Sequence, residues 1–244
     1  MRIRSFIIAY ALVLAILLFA DRRPGSTPQD RYSHVIDLTD GRDATAPHSM
    51  ATESRTHIIA PGALIPGTWS AGQIPPERLV APLVVMDLNA TVTVKDGLRI
   101  SLDDIAAWES QHGMIPQGAV VAIRRSGSIN DRAHDPRLND PKLSDPSTRD
   151  PSIADRLLTP LPIARDAAMF LIDARSAIGF AVETPVTFSS DRTLARQLAL
   201  HGSYVLEGAA RFTSLPSTGS LIIVAPAKDK KPGEAPVRIL AMVR

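Results

Sequence analysis

The chain has 244 residues, of which 45% are hydrophobic and 21% are charged, a composition that suits one packed domain and excludes a wholly disordered chain. The net charge is only +2 and aromatic residues make up 5%, so we expect no nucleic-acid partner. No cysteine is present, which excludes disulfide bonds, thiolate zinc sites and a cysteine nucleophile.

The first twenty residues have the pattern of a membrane-targeting segment. An apolar run from Phe6 to Ala20 is flanked by arginines, and it is shorter than the ~20 residues of a comfortable membrane span. A cut after Ala20 would place the bulky Leu18 where signal peptidase prefers a small residue. We therefore expect a hydrophobic helix that is retained as a signal-anchor, with a cleaved signal peptide as the alternative. Either one places residues 31–244 outside the cytoplasm, in the periplasm of a bacterium or secreted.

Residues 21–31 are rich in proline, glycine, serine and charge, which is typical of a linker, and residues 32–244 are predicted to form one domain. Within it we predict strands at 32–39, 79–88, 92–100, 119–124, 177–182, 203–207, 221–225 and 237–243. Helices are predicted from the capping Ser101 to Gly113, at 163–174 and at 194–200. The interval 48–72 is predicted to be mostly loop. Alternating strands and helices after residue 79 predict an α/β domain with a partly parallel, buried sheet.

An insert at residues 131–152 repeats Asp-Pro every five residues, from 135–136 to 150–151. Each proline blocks helix and removes a backbone donor, so the pattern predicts an extended, solvated, low-complexity excursion. The insert lacks the glycine turn and the bidentate glutamate of a calcium loop.

Several short segments resemble the cyclase family, whose members include the kynurenine formamidases of bacterial tryptophan catabolism. They begin with residues 56–61 (THIIAP), 65–67 (IPG) and 85–88 (VMDL). Further segments follow in the family order, at 102–113, 115–118, 177–185, 205–207 and 236–241. The resemblance covers about residues 32–244 apart from the insert. It implies a swivelling β/β/α domain with a mixed sheet, assembled as a homo-oligomer.

Active members of that family carry an HxGTHxDxPxH motif that holds one or two divalent metals, commonly zinc or manganese. Such a site leaves an open position for a water whose pKa the metal lowers to ~7. The corresponding stretch here is ESRTHIIAPGA, at residues 53–63. His57 keeps one histidine position, whereas Glu53, Ile59 and Ala63 stand at the first histidine, the aspartate and the last histidine. Arg55 stands at the glycine, where its charge would repel a metal cation.

The resemblance also implies a catalytic histidine and a site glutamate in the second half of the chain. The histidine position is occupied by Ala195, whereas the glutamate is kept as Glu207. Loss of a proton carrier commonly lowers the rate by about 10²–10⁴. His201, six residues before Glu207, is a candidate replacement if its loop folds back.

These substitutions predict a non-catalytic domain that binds a small molecule or a protein. The alternative is a divergent amide hydrolase, of the arylformamidase or cyclic-amide hydrolase type, with one divalent metal on Glu53, His57 and Glu207. The expected cofactor is accordingly none or one zinc or manganese ion. In the active case His57 and Glu207 would carry the catalysis. A third interpretation is a structural subunit that pairs with an active paralogue.

Three further residues are predicted to line the substrate pocket. Trp69 follows the Pro-Gly turn near which the family builds its pocket, and Arg55 lies inside the motif. Glu183 lies in the segment 177–185, which resembles the family's IGxDTxS stretch.

Overall fold

The computed structural model describes residues 32–40, 56–88, 99–125, 159–228 and 233–244. The predicted hydrophobic helix at 1–20, the linker at 21–31 and the Asp-Pro insert at 131–152 lie outside the described residues, as do Glu53 and Arg55. Within the described part of the chain, no helix has the length and apolar character that a membrane span requires.

The strands are β1 His34–Asp37, β2 His57–Ile59, β3 Val80–Leu88, β4 Val120–Arg125, β5 Thr159–Pro160, β6 Gly179–Val182, β7 Val186–Thr187, β8 Tyr204–Glu207, β9 Ser220–Pro226 and β10 Glu234–Val243. The α-helices are α1 Pro61–Leu64, α2 Leu102–His112, α3 Arg165–Arg175 and α4 Arg192–Leu200. Single 3₁₀ turns lie at Ala71–Gln73, Pro76–Arg78 and Phe212–Ser214.

The main sheet closes on itself. Its described strands run in the order β1-β10-β2-β8-β6-β4-β3-β9, and β9 pairs again with β10. Strands β3, β4, β6 and β8 are parallel, whereas the remaining pairs are antiparallel. Seven of the described strands therefore form a barrel-like ring, and β1 extends it beside β10. The predicted α/β class with a mixed sheet is confirmed, and closure is a feature that the sequence did not predict.

The two faces of this sheet carry separate cores, because alternate side chains point to opposite sides of a strand. Val84 and Met86 belong to the cluster that packs against α2, α3 and α4. Leu83 and Val85 belong to a second cluster, which contains no residue of those helices and fills the barrel. Each face is buried, as the sequence pattern predicted for this part of the chain.

Helix α2 has the predicted ends. The Ser101 hydroxyl accepts a hydrogen bond from the Asp104 backbone N–H, and the Asp104 carboxylate accepts one from the Ser101 N–H at 2.8 Å. Gly113 ends the helix with φ at 85°, a conformation that favours glycine. Helix α2 is joined to α3 by a two-pronged ion pair, in which the Arg175 guanidinium donates to both carboxylate oxygens of Glu109 at 2.7 and 2.9 Å.

The interval predicted as mostly loop contains β2 and α1 in its described part, two short elements that the sequence did not predict. Strand β2 is three residues long, and it pairs on one side with β8 and on the other with residues 234–236 of β10. Helix α1 follows at once and packs against α4. These contacts connect distant parts of the chain, and they bring the motif segment against the second half of the protein.

Candidate functional site

The two family positions that keep their residue type lie side by side. His57 in β2 is the register partner of Glu207 in the antiparallel strand β8. Ile59 and Val205, two residues away on the same strands, belong to the helix-facing core, whereas Ile58 and Leu206 belong to the barrel interior. Because side chains alternate along a strand, His57 and Glu207 face the helical side of the sheet.

Glu207 is a buried carboxyl group that accepts one hydrogen bond from the described residues. The residue is only 6% exposed, and its Oε2 accepts a hydrogen bond from the Val186 backbone N–H at 2.9 Å. Burial raises the pKa of Glu207, and the neighbouring Glu234 raises it further. The Val186 N–H and the charge of His57 act in the opposite direction, but the pKa stays above its usual range.

A cavity of about 630 Å³ lies on this side of the barrel. It is bordered by β2, α1, the segment around β7, the first turns of α4 and the start of β10. Its lining residues are Ile59, Ala63, Leu64, Ile65, Val186, Thr187, Phe188, Ser189, Arg192, Ala195, Arg196 and Glu234.

Three of the four positions at which a family ligand or proton carrier is replaced line this one cavity, and the fourth, Glu53, lies outside the described residues. Ile59 comes from β2, Ala63 from α1 and Ala195 from α4. They converge because β2 leads directly into α1, and α1 packs against α4. The structure thus assembles the site that the motif positions define, with aliphatic side chains at those positions.

The described residues do not fit a divalent metal centre. The side chains of Ile59, Ala63 and Ala195 have no lone pair to offer a cation. Among the residues that the structure describes, no group of three or more His, Asp or Glu side chains is placed to hold a metal ion. His57 and Glu207 are two of the three predicted metal ligands, and the third, Glu53, lies outside the described residues.

Trp69 packs on another surface. It is 38% exposed and is absent from the residues that line the cavity. The Arg78 guanidinium carbon lies 5.8 Å from the centre of the Trp69 ring, and Arg78 also donates a hydrogen bond to the Gly202 carbonyl at 3.1 Å. A Cβ on Gly202 would come within 2.8 Å of the ring. The indole therefore covers the turn after α4.

Glu183 and His201 also lie outside the lining set. Glu183 acts on Arg124, whose pKa is raised first by its hydrogen bonds to Asp87 and to a smaller extent by the charge of Glu183. The exposed His201 follows α4, where its Nε2 lies 3.9 Å from an Asp173 carboxylate oxygen. The structure therefore does not bring the candidate replacement proton carrier to this cavity.

Arg192, Arg196 and Glu234 line the cavity and were missed from the sequence. The arginines stand at positions i and i+4 of α4 and flank Ala195, so their helical spacing could have found them. Glu234 carried no such signal. It reaches the site because it is the register partner of Ile59 across the β10–β2 ladder.

Comparison with known proteins assigns the chain to a family. The profile of the Cyclase family, described as a putative cyclase, matches residues 21–187 of the 244-residue chain. The chain therefore belongs to the Cyclase family. The matched span contains His57, Ile59 and Ala63, whereas Ala195 and Glu207 lie beyond it.

Individual relatives agree with this assignment. The isatin hydrolase of Roseibium aggregatum is 29% identical over 201 residues, which is 80% of this chain and 73% of the relative. The structure of isatin hydrolase A from Labrenzia aggregata bound to benzyl benzoate superposes with a TM-score of 0.59 at 24% identity, covering 86% of this chain and 93% of that one. A potential metal-dependent hydrolase with cyclase activity gives 0.53 at 22%, covering 86% and 98%. At these identities the structural likeness establishes the fold.

Proposed function

We propose that this domain binds a small organic molecule in the cavity and does not carry out metal-dependent hydrolysis there. The observation that carries the proposal is the convergence of Ile59, Ala63 and Ala195 on one cavity. In the family these positions serve a metal and a proton carrier, and here they supply apolar surface to a space that remains open.

The size and lining of the cavity support binding. Small-molecule sites commonly enclose about 300–1,000 Å³ and are mostly apolar with a few polar groups. This cavity has about 630 Å³, and its wall combines aliphatic residues and Phe188 with charged residues at Arg192, Arg196 and Glu234. Burial of apolar ligand surface at roughly 25 cal/mol per Å² would drive association.

The competing candidate is a mono-metal amide hydrolase on Glu53, His57 and Glu207. The adjacency of His57 and Glu207 supports it, as does the activity named for the relatives. It requires Glu53 to supply a third ligand and another group to replace the missing histidine at Ala195. We favour binding because the described lining contains no histidine, and the replaced positions Ile59, Ala63 and Ala195 are aliphatic.

Ligand-observed NMR with a library of small fragments tests the proposal, and the purified chain is assayed in parallel for metal. We expect fragments that bind the parent and lose about tenfold or more in affinity in Ala63→Phe, which fills the cavity. Ala106→Phe, on an exposed face of α2, is the matched control and should bind like the parent. Ala195→Met is a second filling variant if Ala63→Phe is unstable.

Tightly held zinc or manganese at one ion per chain, together with amide hydrolysis lost in His57→Ala, would overturn the proposal and favour the hydrolase. Fragments that bind Ala63→Phe and the parent equally would also contradict it. Co-purification of an active paralogue without any fragment binding would favour a structural subunit.

We further propose that residues 1–20 tether the domain to a membrane, with residues 32–244 outside the cytoplasm. The flanked apolar run from Phe6 to Ala20 supports this location. Protease added outside cells whose cytoplasmic membrane is sealed should digest the domain if this location is correct, and protection of the domain would contradict it.

We also propose that the domain forms a homo-oligomer. Light scattering of the purified chain should then give a mass greater than that of one chain.

A further inference from the structure

The charges around the cavity are divided between two sides. Arg192 and Arg196 lie one turn apart on α4 and both line the cavity. Both side chains are exposed, and neither forms an ion pair with another described residue. Arg165 is different, because its guanidinium donates to both carboxylate oxygens of Asp191. Within the described part of the chain, no carboxylate therefore occupies the two lining arginines, and both can meet an anion.

The wall formed by β10 carries an acidic residue. Glu234 lines the cavity from this strand, where it is the register partner of Ile59. An anion is therefore repelled from the β10 wall and attracted to the α4 wall. The apolar residues Ile59, Ala63 and Ala195 line the same cavity.

We infer that the cavity takes an organic carboxylate with an apolar body, whose carboxylate lies against Arg192 and Arg196. This inference rests on the proposed binding function and adds the chemical class of the ligand. Guanidinium groups donate paired hydrogen bonds to carboxylates, and both arginines can reach one anionic group because they share a helix face.

The effect of charge on affinity is moderate because the arginines are exposed to solvent. Charge-assisted hydrogen bonds are stronger than neutral ones, but solvent and salt screen them at the rim of a site. We therefore expect a carboxylate to bind about tenfold tighter than the uncharged amide of the same body. The preference should shrink as the salt concentration rises.

The experiment uses matched fragments with one apolar body and three head groups: a carboxylate, its primary amide and the corresponding amine. Phenylbutanoate, phenylbutanamide and phenylbutylamine form one such set among several body sizes. Titration calorimetry or NMR gives their affinities for the parent and for the double variant Arg192→Gln/Arg196→Gln. Arg238→Gln removes one positive charge at an exposed arginine outside the lining. It is the control for the single variants Arg192→Gln and Arg196→Gln, which are measured beside the double variant.

The expected result is the order carboxylate, amide, amine in the parent. In the double variant the carboxylate should lose about tenfold and equal the amide, while the amide keeps its affinity. Arg238→Gln should leave all three affinities unchanged.

Two results would overturn the inference in different ways. If amides or amines bind as tightly as carboxylates across the set, and Ala63→Phe still blocks them, the ligand class is wrong and the binding function stands. If no fragment of any charge binds in a way that Ala63→Phe blocks, the binding function itself fails.

Discussion

His57 and Glu207 are register partners across the β2–β8 ladder, and the Glu207 carboxylate is turned onto the Val186 N–H at 2.9 Å. Neighbours at such positions commonly have Cβ atoms about 4.5–5.5 Å apart. The two residues therefore lie next to each other on one face of the sheet. The motif positions Ile59 and Ala63 are aliphatic. The burial of the Glu207 carboxyl group has consequences that can be measured.

The first consequence concerns the pH dependence of stability. The pKa of Glu207 is raised in the folded protein, chiefly by burial. Its contribution to stability is therefore fully present below the unfolded-state pKa and is lost as the pH rises through the folded-state pKa. Glu207→Gln keeps an oxygen for the Val186 N–H and removes the ionisation. We expect the Tm of this variant to gain on that of the parent as the pH rises from 4 to 8.

Thermal unfolding at several pH values measures this difference, and the carboxyl groups that do not interact with Glu207 cancel in the comparison. Glu77→Gln replaces an exposed glutamate and should leave the shape of the curve unchanged. A Glu207→Gln variant that loses Tm relative to the parent as the pH rises would contradict the assigned role of burial.

The elements that sequence reasoning found are those with local signals. Ser101 and Gly113 define α2 through a cap and a positive-φ end, and both effects act within a few residues. Strand β2 has no such signal. Its three residues become a strand because β8 and β10 pair with it on both sides. The prediction of mostly loop missed this strand because tertiary pairing outweighed the turn residues around it.

The candidate site was also predicted only in part from the sequence. The replaced positions Ile59, Ala63 and Ala195 were identified from the motif pattern, but only the packing of α1 on α4 brings them to one cavity. Trp69 shows the reverse case. Its place after a Pro-Gly turn predicted a pocket role, whereas its ring lies near Arg78 and Gly202, and Trp69 is not among the residues that line this cavity. Proximity in sequence did not determine the direction of that side chain.

The ion pair between α2 and α3 should contribute more than an exposed one. Glu109 binds Arg175 and also accepts the Ile115 backbone N–H at 2.9 Å, and both charged side chains are less than a fifth exposed, at 18% and 16%. We expect Glu109→Ala to lower the free energy of unfolding by about 1–2 kcal/mol, because it removes three hydrogen bonds. Chemical denaturation measures the loss.

The matched control is Arg238, which pairs with Asp37 at 3.0 Å while its side chain is 67% exposed. Exposed pairs contribute about 0–1 kcal/mol, so Arg238→Ala should change stability less than Glu109→Ala. The opposite order would show that the α2–α3 link is not a stabilising contact.

The packing of Trp69 on Gly202 can be separated from backbone strain. Gly202 has φ at 67°, and a Cβ there would lie 2.8 Å from the indole ring. Gly67 has φ at 87°, but a Cβ there would meet nothing within 4 Å. Both alanine variants should lose about 1–2 kcal/mol to the left-handed backbone. Only Gly202→Ala should also displace the ring and change the tryptophan fluorescence of the folded protein. Equal spectra in the two variants would contradict this packing.

Metal ligands can be introduced at Ile59 and Ala63, two positions in the cavity wall where the family motif has them. The double variant Ile59→Asp/Ala63→His adds a carboxylate and an imidazole to the wall that lies on the same side of the sheet as His57. These are ligands that zinc and manganese accept, so we expect the variant to retain about one metal ion per chain after dialysis, and the parent far less. Without metal, the buried aspartate should cost about 1–3 kcal/mol of stability, and added zinc should recover it.

Ala106→His, on an exposed face of α2, controls for non-specific binding by an added histidine. Equal metal retention by the parent and the double variant would show that Ile59 and Ala63 are not what separates this cavity from a metal centre.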